Sequence, residues 1–193
     1  MGNKPECIIL HHSLTKDSGT VSWDAIRRYH KAKGWRDIGY HYGIELVGGE
    51  YKIFKGRPEH QEGAHTKEQG MNRKSIGICL VGNFDWGEPC DAQLNKLYEL
   101  LEDIFKRYGK LPIYPHHHFA NYKSCPGEKF PLDKVLKYMF GTKADKTEIE
   151  FVKSIKKLAE KSIIDSPDYW TNNKKFKSEY VMMLINKIVK KLL

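Results

Sequence analysis

At 193 residues, 40% of them hydrophobic and 12% aromatic, the chain can bury a sizeable core, which excludes wholesale disorder. The net charge of +9 and a pI near 9.2 predict attraction to polyanions (nucleic acid, anionic lipid or an anionic cell wall) without choosing among them. No run approaches the roughly 18 apolar residues of a membrane span, so stable membrane insertion is not expected.

In chain order, the start "MGNKPECIILHHS" holds only a four-residue apolar run, too short for a signal-peptide core, so synthesis and folding in a cytoplasm are expected. The four cysteines, Cys7, Cys79, Cys90 and Cys125, lack CxxC spacing and are expected as free thiols. "ECIIL" reads as a buried strand. "SWDAIRRYHKAKG" reads as a helix with Ser22 as N-cap and Gly34 as its stop. "GYHYGIELVGGEYKIFKG" is a hairpin turning at Gly48-Gly49, and the near-continuous apolar run "SIGICLVGNF" is a central strand covered on both faces. Leu94, Leu97, Leu101 and Phe105 mark a long amphipathic helix closed by Gly109. "LPIY" is a short strand leading into three histidines, and "FPLDKVLKYMFG" is a further helix.

The fold class is therefore α/β: a central mixed sheet flanked by helices, then a small all-α module. A boundary is expected after Gly141, giving domains 1–141 and 142–193, with "GTKADKTE" as linker. Beyond it, Thr147 and Glu150 suggest a capping box, "DSPDYW" a turn, and Phe176 to Leu193 an amphipathic helix with Tyr180, Met183, Leu184 and Ile188 on its apolar face. About fifty residues in two helices form a marginal unit alone.

"PHHHFANYKSCPG" (115–127) carries the chemistry. It supplies one thiolate and at least one imidazole, and "LHHS" at the end of the first strand supplies another imidazole. Two imidazoles and a thiolate leave zinc a fourth position and net positive charge, hence Lewis acidity. A structural site would more often present four ligands in close pairs, which are missing. Spacing does not say which histidine of 116–118, or which of His11 and His12, would ligate. The spacing of zinc-stabilised nucleic-acid binders is absent, so no nucleic-acid partner is expected.

"IILHHSLT", "GWRDIGYHYGIELVGG", "GAHTKEQGMNRKSIGICLVGNF" and "HHHFANYKSCPG" occur in the order of motifs in a known family. Over about Cys7 to Tyr138 the chain resembles the zinc-dependent N-acetylmuramoyl-L-alanine amidases of type 2, which include bacteriophage lysozyme-amidases and peptidoglycan recognition proteins. The resemblance implies one Zn2+ per chain, with His11, His117 and Cys125 as ligands. It implies Tyr40 and Lys123 as catalytic residues. His65, Asn83 and Trp35 are implied to be groove residues. Without it, Tyr40 reads as a buried strand aromatic, Lys123 as a solvated lysine and Trp35 as groove wall or core. The implied activity is endolysin-like hydrolysis of the amide between N-acetylmuramic acid and L-alanine of the stem peptide, with cell-wall peptidoglycan as partner. The alternative is a non-catalytic peptidoglycan-binding protein. The lysine-rich tail suits a cell-wall-binding module, a dimerisation hairpin or a simple docked brace.

Overall fold

The computed structural model describes residues 2–16, 23–172 and 179–192. The expected Ser22 cap, Phe176 and the Tyr180 side chain lie outside the described residues. The chain divides into two compact units, Met1–Val135 and Leu136–Leu193.

The first unit is built on a five-stranded sheet of order β3-β2-β4-β1-β5. Its strands are β1 (Cys7–His12), β2 (Tyr42–Val47), β3 (Glu50–Lys55), β4 (Ser75–Leu80) and β5 (Ile113–Pro115). β1 runs parallel to β4 and β5, β2 parallel to β4, and only β3 is antiparallel, paired to β2. The β2–β3 turn is the two-residue Gly48-Gly49 loop with φ of 63° and 84°; both values lie in the left-handed region that glycine enters without a steric penalty. Every residue of β1 and β4 is buried, as the unbroken apolar runs require.

Helix α1 (Trp23–Ala32) packs Trp23 and Ile26 against Ile38, Cys79 and Val81, with Tyr40 and Phe54 at the edge of that cluster. Helix α2 (Asp91–Tyr108) lies along β2 and β3. Its buried Gln93 donates from Nε2 to the Val81 carbonyl at 2.8 Å, so a polar group inside the core is satisfied by the backbone just past β4. Residues 68–73 form a short 3₁₀ segment, absent from the sequence reading, that breaks at Gln69 and Gly70.

Helix α3 (Leu132–Phe140) begins just after Pro131. The second unit contains α4 (Lys143–Glu160), α5 (Pro167–Asn172) and α6 (Glu179–Leu192). Three expectations are corrected there. The stretch read as a linker is the start of α4, because Thr142 accepts from the Asp145 N–H while Asp145 accepts from the Thr142 N–H, completing a capping box one turn earlier than Thr147/Glu150. "DSPDYW" is not a plain turn but enters α5 at Pro167. On α6 the packed residues are Met182, Asn186 and Val189, while Met183, Leu184 and Ile188 are exposed. Asn186 lies on the same inward face as Met182, Ile185 and Val189, and its Oδ1 accepts from buried Ser154 of α4 at 2.7 Å. Among the described residues no helix is long and apolar enough to cross a membrane.

Candidate metal centre

Strand alternation sorts the first histidine pair. Cys7, Ile9 and His11 project to one face of β1 and His12 to the other. Cys7 and Ile9 pack with Met71, Tyr114 and Phe119, and His11 continues that row at the carboxyl end of the strand. His12 turns away, and its Nδ1 accepts from the Phe84 N–H at 3.2 Å.

The second group is placed by register. Leu10 is opposite Pro115 in the parallel β1–β5 pair, so the next residues, His11 and His116, are neighbours, with ring centroids 4.5 Å apart. The chain then enters a 3₁₀ turn at His116–His118 rather than continuing extended. In such a turn successive side chains point in three directions. His116 goes inward at 3% exposure, His117 is exposed, and His118 stacks on Tyr114 at 4.7 Å. Of the two, it is His116 rather than the expected His117 that the structure brings beside His11 and Cys125. His117 serves instead through its backbone, whose N–H donates to the Cys125 carbonyl at 2.8 Å.

Cys125 comes back over the strand ends on a loop held by Asp85. Asp85 accepts from Ser124 Oγ at 2.8 Å and from the Glu128 N–H at 3.0 Å. Burial opposes ionisation there, but those two hydrogen bonds hold the carboxyl below its usual range. Gly127 has φ of 120°, and a Cβ there would meet the Phe84 carbonyl carbon at 2.4 Å, so the loop closes only with glycine.

His11, His116 and Cys125 each offer one ligand atom, all within 4.8 Å of one another, and all three residues are buried. Cys125 Sγ is 3.6 Å from His11 Nδ1. His116 Nε2 is buried without a hydrogen-bond partner among the described residues, and Glu68 Oε2 stands 3.9 Å from it. Burial first, then the charges of His65, His116 and Lys123, keep His11 neutral. Burial, then Lys123, lowers His116 to about 4. Burial pushes the Cys125 thiol up to about 12. Two neutral imidazoles with free lone pairs beside a buried thiol form a donor set suited to a cation, which would also stabilise the thiolate. The residues present therefore fit one metal ion.

An open cleft of about 660 Å³ lies over this cluster. Tyr40 sits in it with its ring centroid 5.2 Å from that of His11. Burial first, then Cys79 and Cys125, push its phenol well above the ordinary value. Lys123 is exposed on the rim, with Nζ 5.7 Å from the Tyr122 ring centroid. Trp35 lines the cleft and packs on His30 with centroids 4.5 Å apart. His65 is on the floor at 8% exposure, behind His11 rather than on an open wall. Asn83 is not in this cleft. It faces a neighbouring hollow of about 340 Å³ beside Trp86, because the chain turns after β4 and Asn83 Oδ1 caps that turn by accepting from the Asp85 N–H at 3.1 Å. Glu68, Asp85 and Tyr122, whose hydroxyl donates to Glu68 at 2.5 Å, were not singled out in the sequence. Isolated acids in polar stretches carry no spacing signal.

The sheet and cleft define a class: an α/β domain presenting two imidazoles and a thiol at the carboxyl ends of parallel strands, where ligands enter such folds. The chain belongs to the N-acetylmuramoyl-L-alanine amidase family, which matches residues 1–128. It is 38% identical over 126 residues to the endolysin of Escherichia phage T7, covering 63% of this chain and 80% of that protein. It is 31% identical over 136 residues to peptidoglycan-recognition protein SC1a of Drosophila melanogaster, covering 66% and 70%. Among solved structures it resembles the N-acetylmuramoyl-L-alanine amidase LysC from Clostridium intestinale URNW, with a TM-score of 0.62 and 29% identity over 69% of this chain and 84% of that one.

Proposed function

We infer that the protein is a peptidoglycan hydrolase of the N-acetylmuramoyl-L-alanine amidase type, cutting the amide that joins the lactyl group of N-acetylmuramic acid to L-alanine. The observation that carries this reading is the buried His11–His116–Cys125 triangle under an open cleft in a chain of this family. The proposed ion is zinc, which suits imidazole and thiolate donors better than the oxygen-preferring cations. When bound, zinc would supply Lewis acidity toward the amide carbonyl and lower the pKa of water.

The chain's own residues account for the rest. The Tyr40 hydroxyl, kept protonated by its surroundings, accepts a hydrogen bond from the attacking water and fixes its direction toward the carbonyl carbon. The Lys123 ammonium donates to the carbonyl oxygen as negative charge develops on it, an interaction that is typically worth about 2.7–4 kcal/mol. Trp35 and Tyr29 flank the cleft and give the sugar and peptide apolar walls. Asp85, through Ser124 and Glu128, keeps the Cys125 loop closed.

The second unit lies beyond the family match. Residues 136–193 hold 13 lysines, no arginine or histidine and seven carboxylates, and so carry six of the nine net positive charges. We propose that this unit adds affinity for anionic wall polymers, with synthesis in the host cytoplasm before wall access. Mass analysis of digested peptidoglycan tests the activity. New free L-alanine amino termini without new reducing sugar ends are expected; new reducing ends would reject the amidase reading.

A further inference from the structure

We propose that His65 is the positioning residue for His11: it accepts the Nε2 proton of His11 and so commits Nδ1, on the Cys125 side, to the metal. This rests on the metal reading above. A neutral imidazole has one N–H and one lone pair. His11 Nδ1 lies 3.6 Å from Cys125 Sγ, and His11 Nε2 lies 3.0 Å from His65 Nδ1. For Nδ1 to offer its lone pair to a cation, Nε2 must carry the proton, and His65 Nδ1 is the atom in place to accept it. Thr66 Oγ1 also lies 3.1 Å from that nitrogen, which has one lone pair to offer, and the His11 contact is the shorter of the two.

The surroundings are shaped around this ring. A Cβ on Gly77 would stand 2.5 Å from His65 Cδ2, and one on Gly63 would stand 2.5 Å from the same atom. Glycine weakens a buried strand interior such as β4, and here it makes the room that lets the ring reach His11. Asn72 Oδ1 accepts from the N–H groups of His65 and Thr66, both at 2.8 Å, and fixes the backbone that carries the ring. His65 Nε2 is buried with no hydrogen-bond partner among the described residues. His41, the neighbouring imidazole, cannot relieve it. Its Nε2 faces the Gln61 carbonyl at 3.0 Å and its Nδ1 accepts from the Gly77 N–H at 3.0 Å. A ring kept for packing alone would better be apolar than leave one nitrogen without a partner. The used nitrogen is the one that faces His11.

Chelator-buffered zinc titration of the full chain tests this, with His65→Leu, which lacks an acceptor, and His65→Gln, whose carbonyl can accept from His11. His65→Leu is expected to weaken zinc binding by about 10–100-fold, and His65→Gln to recover most of that loss. The melting temperatures of the two metal-stripped variants should not follow that order. A folded His65→Leu that binds zinc like the wild type, or a His65→Gln that falls as far, overturns the assignment. If His65→Leu does not fold, nitrogen NMR of zinc-loaded wild type decides: protonation of His11 on Nε2 supports it and protonation on Nδ1 overturns it. Wild type that binds no zinc removes the metal reading as well, whereas an unaffected His65→Leu removes only this assignment.

Discussion

At the residue scale the account turns on one position in three. The resemblance carried by four motifs in order singles out His11, Cys125, Tyr40 and Lys123, whereas the residues alone leave His11 and His12 equivalent and read Tyr40 and Lys123 as an ordinary strand aromatic and a solvated lysine. Motif order does not say which of His116 and His117 lies beside His11 and Cys125. That choice depends on where the extended backbone gives way to a 3₁₀ turn, a difference of one residue that spacing does not encode. It makes a sharp prediction. His116→Ala should lose zinc together with wall lysis, whereas His117→Ala should retain zinc at near wild-type stoichiometry, as measured by metal analysis after dialysis. Cys125→Ser should behave like His116→Ala. If its ammonium acts on the developing oxyanion as proposed, Lys123→Ala should instead keep its metal and lose about 10²–10³ in turnover.

At the element scale, strands and hairpin were legible because unbroken apolar runs and a Gly-Gly pair leave few alternatives. The phase of α6 was not, since the helix offers two apolar faces, and the buried one carries Met182, Ile185 and Val189 with Asn186, which accepts from Ser154 of α4. The loop carrying Cys125 closes against Phe84 only because Gly127 has no side chain. Gly127→Ala should therefore cost roughly 1–3 kcal/mol by chemical denaturation and weaken zinc binding with it. A second tie is polar. Glu59 accepts from Tyr42 Oη at 2.7 Å, Arg107 Nη2 at 2.6 Å and Tyr108 Oη at 3.0 Å, joining the segment after β3 to β2 and the end of α2. Burial opposes its ionisation, but the hydrogen bonds from Arg107, Tyr42 and Tyr108 hold its pKa below the ordinary value. Because the folded pKa is depressed, this stabilisation is present above the unfolded value of about 4.3 and is lost as pH falls through the folded one. The stability gap between wild type and Glu59→Gln should be wider at neutral pH than at pH about 3, by denaturant titration at both. An unchanged gap would mean the carboxylate contributes nothing as an ion.

At the scale of the whole molecule, chemistry and charge are divided between the two units. The family match ends at residue 128, and most of the net positive charge lies beyond residue 135. If that charge serves the wall, reversing Lys187, Lys190 and Lys191 to glutamate in the full chain should lower binding to isolated walls at low salt. The difference should shrink as salt rises, because exposed charges are screened beyond about 10 Å at 0.1 M. Cleavage of a small soluble muramyl peptide should not change.

The central claim is that one cation, held by His11, His116 and Cys125, underlies amide hydrolysis. Anomalous diffraction at the zinc edge from crystals of the zinc-loaded chain tests it most directly. The account predicts a single strong peak bounded by those three side chains, with its remaining coordination position open to the cleft. A peak ligated by His117, or one closed by a fourth side chain, would contradict it.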